Sequence, residues 1–377
     1  MHHTYIELSR GALTHNISKI RKLLPPNTKF AAIVKSNAYG HGMLQIASIA
    51  VDAGADVLGV NSLEEALILR QSFPETTILI MGEIPNMEKY ATFLEDKNLQ
   101  IIVSRYEEVA FLAGLGTIRP EIHLKVDTGM GRLGTSGETT LRLIESLRHD
   151  GLPLEGIVTH FASTEDNVEY SYSMLQLQKF REVIDYANSL GYRNLNRHCA
   201  ASASCLLFPE ARMDMVRIGI SLYGLWPSQE TKFSFDYTSY PDFSLLPVLH
   251  WKTEIVHLQV VPAKSYIGYG STYRTSYPTR IAVIPVGYFE GLDRRLSNQG
   301  YVLLHGERAR IVGRVCMNMA MVDVTHIEGV SLGDEVVLLG DSGEDSIPAE
   351  FHAGVTGTIN YDVVTRLHPT MTRVITE

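Results

Sequence analysis

The sequence lacks the features that mark several common protein classes. It has only three cysteines, without the spacing of a disulfide framework or a zinc site (Cys199, Cys205 and Cys316). It has no basic run, and a net charge of −9 argues against nucleic acid or anionic membrane as a partner. No apolar run approaches membrane-spanning length, and the start of the chain has no charged-then-apolar signal pattern. We therefore expect a cytoplasmic protein.

The chain also lacks a Walker-type loop for binding nucleotides. GxGxxG spacing occurs in the segment Gly129-Met-Gly-Arg-Leu-Gly134. We nevertheless expect a small phosphorylated cofactor and not a dinucleotide. Tandem repeats and low-complexity tracts are absent as well. An apolar content of 45% and a charged content of 20% over 377 residues instead indicate an ordinary globular protein, long enough for two domains.

The first 220 residues alternate between short apolar runs and amphipathic segments. Leu63–Gln71, for example, has apolar residues at helical spacing, and Ser104 is expected to cap a helix that begins at Arg105, with Glu107 completing a capping box. Eight strand–helix alternations predict a closed parallel (β/α)8 barrel of the TIM type. The expected strands are 30–35, 57–61, 77–82, 99–104, 121–127, 154–160, 194–199 and 214–220.

The pattern changes after about residue 240. Short apolar runs separated by turn residues, without long helices between them, predict a smaller and mainly antiparallel β domain. We expect a barrel domain over 1–235 and a β domain over 236–377. The expected β-domain runs are 254–261, 279–284, 309–315, 319–324 and 335–339.

Lys35 ends the first apolar run and is followed by a glycine-rich loop that contains Tyr39. A lysine that a buried strand directs into a pocket loses hydration, and the neutral amine can then attack a carbonyl carbon. The alternative is a solvated lysine that closes a strand. Tyr39 is similarly either a phosphate neighbour or an ordinary loop aromatic.

Three further groups of residues suggest a binding site. The glycine-rich loop after Lys125 carries Arg132, whose planar fork suits a carboxylate, although a solvated arginine in a turn is an equal alternative. His160 and Arg217 are lone polar residues in apolar strands. A histidine in that position is usually a satisfied core residue, but a buried guanidinium needs acceptors.

The third group is a possible anion site. Ser202 follows the seventh predicted strand, and the amides of Gly219 and Ile220 follow the eighth. The loops after these two strands often bind phosphate in such barrels. Tyr269, Tyr288 and the segment Cys316–Asn318 form a last group in the β domain. Taken singly, the tyrosines are more typical of hairpin packing and the Cys-Met pair is more typical of a core.

Together these stretches closely resemble the alanine racemase family, which uses pyridoxal phosphate on a barrel-plus-β-domain fold. The resemblance is carried by the order and spacing of motifs from Lys35 to Asp362. These motifs are VKSNAYGHG, LKVDTGMGRLG, the His160 strand, VRIGISLYG, GYGSTY, PVGY, GRVCM and TINYD.

The resemblance implies a role for each matching residue. Lys35 would hold pyridoxal 5'-phosphate as an internal aldimine and act as the base on the D-alanine side, while Tyr269 of a partner subunit acts on the L-alanine side. Arg217 would sit against the pyridine nitrogen, with His160 in the same network. Arg132 and the backbone at Met317 would bind the substrate carboxylate, and a carbamylated Lys125 would orient Arg132. The phosphate ligands would be Tyr39, Ser202, Gly219, Ile220 and Tyr361, and the entryway residues Tyr288, Arg294 and Arg314.

The same resemblance implies a homodimer with shared active sites that supplies D-alanine for peptidoglycan. Two positions depart from the family pattern. Asn318 stands where Asp is common, and Glu165 stands where an entryway Asp is frequent. Tyr361 is retained, which favours alanine over serine.

Three alternatives stay open at this point. A basic amino-acid decarboxylase of the same fold class resembles the chain, but its cysteine lies in a Cys-Asp-Ser context, unlike Cys316-Met-Asn. A non-enzymatic cofactor carrier would match the barrel alone. A racemase for another amino acid is the strongest rival, because the size of the pocket depends on side chains that the sequence does not place.

Overall fold

The computed structural model describes residues 3–96, 98–115, 119–165, 169–238 and 240–377. The chain divides into two compact units. The barrel unit comprises Thr14–Ser36 and Ile46–Leu246, and the β unit comprises Met1–Leu13, Asn37–Gln45 and Pro247–Glu377. The predicted division at residues 235 and 236 stays a prediction.

The chain begins with strand β1 and helix α1, and the eight barrel strands follow. All eight predicted runs form strands, each of which ends before the predicted run does. The barrel strands are β2 (Lys29–Ile33), β3 (Val57–Val60), β4 (Thr77–Ile80), β5 (Leu99–Val103), β6 (Glu121–Lys125), β7 (Leu154–Val158), β8 (Asn196–His198) and β9 (Met215–Ile218), after β1 (Thr4–Ser9) and α1 (Arg10–Arg21).

The barrel strands form one parallel sheet in the order β8-β7-β6-β5-β4-β3-β2-β9. Backbone hydrogen bonds from Asp214 N to Arg197 O and from Arg217 N to Ala200 O, at 3.1 and 3.0 Å, connect its two edge strands. The predicted parallel barrel is therefore confirmed. Its strands are rich in β-branched and aliphatic residues because both of their faces are covered.

Helices connect the barrel strands, as the periodicity predicts. The helix expected over 63–71 spans Leu63–Ser72. The cap expected at Ser104 is wrong in detail, because the helix starts at Tyr106 and Glu108, not Glu107, accepts the amides of Ser104 and Arg105. The helices are α2 (Lys35–Tyr39), α3 (Met43–Asp52), α4 (Leu63–Ser72), α5 (Ala91–Leu94), α6 (Tyr106–Gly114), α7 (Gly137–His149), α8 (Ser171–Ser189), α9 (Ser202–Leu207) and α10 (Gln229–Asp236).

The β unit holds a ten-stranded sheet in the order β11-β14-β17-β16-β15-β18-β10-β1-β20, with β19 paired to β18. It is antiparallel except where β1 pairs with β20, so the predicted β domain is confirmed. The elements are β10 (Leu249–Glu254), β11 (His257–Val261), β12 (Tyr266–Ile267), β13 (Tyr273–Arg274), β14 (Thr279–Ile284), β15 (Tyr301–Leu304), β16 (Glu307–Ile311), β17 (Ala320–Asp323), β18 (Glu335–Ser342), β19 (Asp345–Ile347), α11 (Ala349–Thr356), α12 (Asn360–Thr365) and β20 (Thr372–Thr376).

Within the described ranges, none of the helices has the length and apolar character needed to cross a membrane.

Candidate active site

Lys35 lies two residues beyond β2, at the start of the short helix α2. Ser36 to Tyr39 all have φ between 53° and 54°, so this turn is left-handed, a conformation that costs about 1–2 kcal/mol per non-glycine residue. The carboxylate of Glu65 accepts the amide of Ser36 at 2.6 Å and helps to hold the turn. Strain of this kind is typical of functional sites.

The environment of Lys35 favours the neutral amine. Burial lowers the pKa of Lys35, and the positive charges of Arg132 and Arg217 lower it further, while Glu65 opposes them. Because an unprotonated amine is the nucleophile, the lowered pKa prepares Lys35 to attack a carbonyl carbon.

The loop that carries Arg132 is fixed by side chains around it. The carboxylate of Asp127 accepts the amides of Gly129, Met130 and Gly131, at 2.9, 2.7 and 2.9 Å. Tyr172 of α8 donates to the carbonyl of Gly129 at 2.7 Å, and a Cβ at this glycine would overlap the Tyr172 hydroxyl. A glycine-rich loop is thus held in one conformation.

Lys125, at the end of β6, has a strongly lowered pKa. Burial lowers the pKa of Lys125 to about 7, and repulsion from Arg217 and Arg132 contributes. The residue lines a small pocket shared with Arg132 and His160. The full lining is Lys125, Val126, Asp127, Met130, Arg132, Leu133 and His160.

Arg217 on β9 is buried inside the barrel, and neutral groups accept its hydrogen bonds. Its Nη1 atom donates to the carbonyl and to the Nδ1 atom of His198, both at 2.9 Å. Its Nη2 atom donates to the carbonyl of Thr159 at 2.8 Å and lies 3.3 Å from His160 Nδ1. Burial lowers the pKa of Arg217 to about 10, which leaves the guanidinium charged at neutral pH. The acceptors that the sequence required are therefore present.

Two serine hydroxyls lie at the predicted anion site. One is held by backbone amides, and the other has no hydrogen-bond partner among the described residues. The Oγ atom of Ser202 accepts the amides of Gly219 and Ser221, at 3.1 and 3.4 Å. Ile220 begins a 3-10 turn between them. The buried Oγ atom of Ser221 has no hydrogen-bond partner among the described residues. An anion bound here would satisfy that hydroxyl.

The two predicted phosphate tyrosines of the β unit lie together. The ring centroids of Tyr39 and Tyr361 are 6.0 Å apart. Gly40, with φ 85°, has no room for a side chain, because a Cβ would overlap the carbonyl of Val364. Arg373 also donates to the carbonyl of Gly40 at 2.7 Å. These contacts fix the loop that carries Tyr39 against α12, which carries Tyr361.

Tyr288 and Met317 are also brought together within the β unit. The amide of Tyr288 donates to the carbonyl of Cys316 at 3.1 Å, and a Cβ at Gly287 would overlap the carbonyl of Met317. Asn318 donates to the carboxylate of Glu290 at 2.8 Å. An aspartate at 318 would instead repel Glu290. The contact with Glu290 therefore gives a local reason for asparagine at a position where the family pattern has aspartate.

Tyr269 lies in a 3-10 turn between Gly268 and Gly270, and the residue is 72% exposed. The guanidinium of Arg314 lies 3.0 Å from the point where a Cβ of Gly270 would be. Arg294 begins another 3-10 turn, Arg294–Leu296.

Sequence reasoning missed three residues that contact this site. His198 accepts from Arg217, His123 contacts His198, and Glu65 holds the turn after Lys35. His123 carries a signal like that of His160, because it lies between the apolar residues Ile122 and Leu124 on β6. His198 gives no such signal, because its strand β8 consists of polar residues. Glu65 gives no such signal, because it lies on a helix that is distant in sequence.

Comparison with known proteins decides the family. The profile of the alanine racemase N-terminal domain matches residues 8–227, and that of the alanine racemase C-terminal domain matches residues 248–375. The chain belongs to the alanine racemase family. The family resemblance and the predicted class, an amino-acid racemase, are therefore confirmed.

Individual members of the alanine racemase family match this chain over nearly their full length. The alanine racemase of Leptospira interrogans is 51% identical over 374 residues, which is 99% of this chain and 96% of that protein. The alanine racemase of Desulforamulus reducens is 41% identical, with 96% and 95% covered. The crystal structure of the Bacillus anthracis enzyme with bound L-Ala-P has a TM-score of 0.90 at 34% identity, and it covers all of this chain and 96% of that one.

Proposed function

We propose that this protein interconverts L-alanine and D-alanine with pyridoxal 5'-phosphate as its cofactor. Membership of the alanine racemase family supports the reaction. The observation that carries the proposal is Lys35, an amine with a lowered pKa that extends from the strained turn after β2 among Arg132 and Arg217. A lysine that has to bond covalently to an aldehyde needs this environment.

The residues present fit pyridoxal phosphate. The Ser221 hydroxyl, which has no partner among the described residues, and the nearby Ser202 hydroxyl suit a phosphate. The charged guanidinium of Arg217 suits a ring nitrogen that accepts a hydrogen bond. Lys35 would hold the cofactor covalently. The phosphate would be held by Tyr39, Ser202, Gly219, Ile220 and Tyr361. When bound, the cofactor withdraws electrons from the substrate and makes its Cα proton acidic.

Racemisation requires a proton to leave one face of Cα and a proton to arrive at the other. Lys35 Nζ would exchange the proton on the D-alanine side, and Tyr269 of a partner subunit would do so on the L-alanine side. The exposure of Tyr269 fits a side chain that completes the site of another subunit. Activity would then require a homodimer.

Arg132 would bind the substrate carboxylate, together with the backbone at Met317. Asp127 and Tyr172 restrain the loop that carries Arg132. A restrained loop suits an arginine that has to hold a carboxylate in one orientation. A carbamate on Lys125 would accept from Arg132 and fix its direction.

His160 would link Arg217 to the remaining active-site network. Tyr288, Arg294 and Arg314 would line the entry of substrate. We further propose a cytoplasmic enzyme that supplies D-alanine for peptidoglycan.

The deciding experiment incubates purified protein and pyridoxal phosphate with L-alanine, L-serine or L-lysine and detects the D-enantiomer with D-amino-acid oxidase. We expect D-alanine to form fastest. Borohydride should fix the cofactor on Lys35, as peptide mass analysis would read out, and Tyr269→Phe should slow proton abstraction from L-alanine far more than from D-alanine. Unchanged racemisation by Lys35→Ala would contradict the proposal.

A further inference from the structure

Three buried side chains form a hydrogen-bonded line inside the barrel. Arg217 Nη1 lies 2.9 Å from His198 Nδ1, and His198 Nε2 lies 2.8 Å from His123 Nδ1. Both histidines are fully buried. His123 is on β6 and His198 is on β8, and β7 lies between these two strands in the sheet. The line ends at His123 Nε2, which is buried and has no partner among the described residues.

Both imidazoles of this line are neutral at physiological pH. Burial lowers the pKa of His123 to about 3, with help from the charges of Lys29 and Arg217. Burial and Arg217 hold the pKa of His198 well below its usual value. Each ring therefore has one N–H donor and one acceptor nitrogen.

Arg217 sets which nitrogen carries the proton in each ring. A guanidinium can only donate, so His198 Nδ1 must be the acceptor and its proton must be on Nε2. That Nε2–H group points at His123 Nδ1, which must accept in turn. His123 then also has its proton on Nε2, the atom that has no partner in the described part of the chain. Burying an unpaired N–H group costs free energy, so the fold keeps this arrangement at the expense of stability.

Gly156 on β7 makes room for the histidine pair. A Cβ at this position would lie 2.7 Å from His123 Cε1 and would overlap His123 Nδ1. A side chain at 156 would therefore displace the acceptor of the His198 Nε2–H group.

We propose that His123 is a positioning residue for Arg217, acting through His198. By accepting from His198 Nε2, it holds the ring so that Nδ1 faces the Arg217 guanidinium. This inference rests on one part of the proposed function, the contact between Arg217 and the ring nitrogen of the cofactor.

Nitrogen-15 NMR of histidine-labelled apoprotein tests the arrangement without cofactor or alanine. We expect both His123 and His198 to show protonated Nε2 and unprotonated Nδ1, assigned by comparison with His123→Asn. A proton on Nδ1 of either ring would overturn the proposal.

Two nearly isosteric variants test the positioning role. In His123→Asn the amide oxygen can replace Nδ1 as acceptor, whereas His123→Leu offers none. We expect His123→Leu to weaken the binding of pyridoxal phosphate to apoprotein about tenfold, the effect of one hydrogen bond, and His123→Asn to stay within about threefold of the parent. Equal affinities for the two folded variants would refute the role.

Further measurements separate this inference from the proposed function. The buried His352, in the β unit, serves as the control, and His352→Leu should leave the His198 resonances unchanged. If His123→Leu does not fold, the parent spectrum and the affinity of His123→Asn decide the matter. Because neither readout uses alanine, a protein that binds cofactor but does not racemise alanine would contradict only the proposed function.

Discussion

Lys125 offers a sharp test of how the barrel interior controls chemistry. An ordinary lysine titrates near 10.4, so about one in 2,500 molecules carries a neutral amine at pH 7. Burial and the nearby arginines lower the pKa of Lys125 to about 7, which makes about half of the molecules neutral. Only the neutral amine attacks carbon dioxide, and the product carbamate is an anion that Arg132 and Arg217 would stabilise. We therefore expect Lys125 to be carbamylated.

Carbon-13 NMR with labelled bicarbonate checks this expectation. A protein-bound carbamate resonance should appear and should be lost in Lys125→Met. Lys252→Met is the matched control, because Glu7 and Glu335 lie 2.9 and 3.2 Å from the Lys252 amine and contribute to its raised pKa. A carbamate signal that survives Lys125→Met, or none at saturating bicarbonate, would refute the reasoning.

The same lowered pKa predicts a dependence of stability on pH when carbon dioxide is excluded. Between about pH 7 and pH 10 the unfolded chain keeps a proton on Lys125 that the folded chain has released. Stability should therefore rise with pH in this window, by on the order of 5 kcal/mol as an upper limit. Urea titrations should show that Lys125→Met removes this rise, and an unchanged pH dependence would contradict it.

Three further substitutions test the contacts around the site. Tyr172→Phe loses the hydrogen bond to the carbonyl of Gly129 in the Arg132 loop. It should raise KM for alanine several-fold with little change in cofactor affinity. A change in kcat alone would contradict this. Asn318→Asp should lower the free energy of unfolding in urea titrations by about 1 kcal/mol, because the hydrogen bond to Glu290 is replaced by like-charge repulsion. Adding Glu290→Gln should restore stability, and a double variant no more stable than the single one would argue against like-charge repulsion. Gly40→Ala should destabilise the fold by more than about 1 kcal/mol and weaken cofactor binding, because the alanine Cβ would overlap the carbonyl of Val364. A melting temperature equal to that of the parent would contradict this.

Controls for these variants are available in the chain. Tyr186→Phe removes an exposed hydroxyl bonded to Glu145, away from the Arg132 loop, and should leave KM unchanged. Gly54, whose Cβ would meet no atom within 4 Å, shares the positive φ of Gly40. Gly54→Ala therefore measures the cost of backbone strain alone, and the excess cost of Gly40→Ala measures the overlap.

The sequence by itself determined the barrel and the β domain, and it named most of the residues from which the candidate site is built. Apolar runs of strand length are read directly from the chain, because burial of a sheet demands them. Lys35 and Arg217 could be recognised because a charge within or at the end of an apolar strand needs a specific partner. The ends of elements were less certain, as the cap formed by Glu108 instead of Glu107 illustrates.

Only the tertiary structure decided what surrounds those charges. The low pKa of Lys125, the neutral acceptors of Arg217 and the line that ends at His123 arise from groups on different strands. Electrostatic interaction and desolvation depend on distance and burial in three dimensions, which the spacing of residues along a chain does not specify. The sequence shows which ionisable side chains the site contains, but the fold sets the protonation state of each of them.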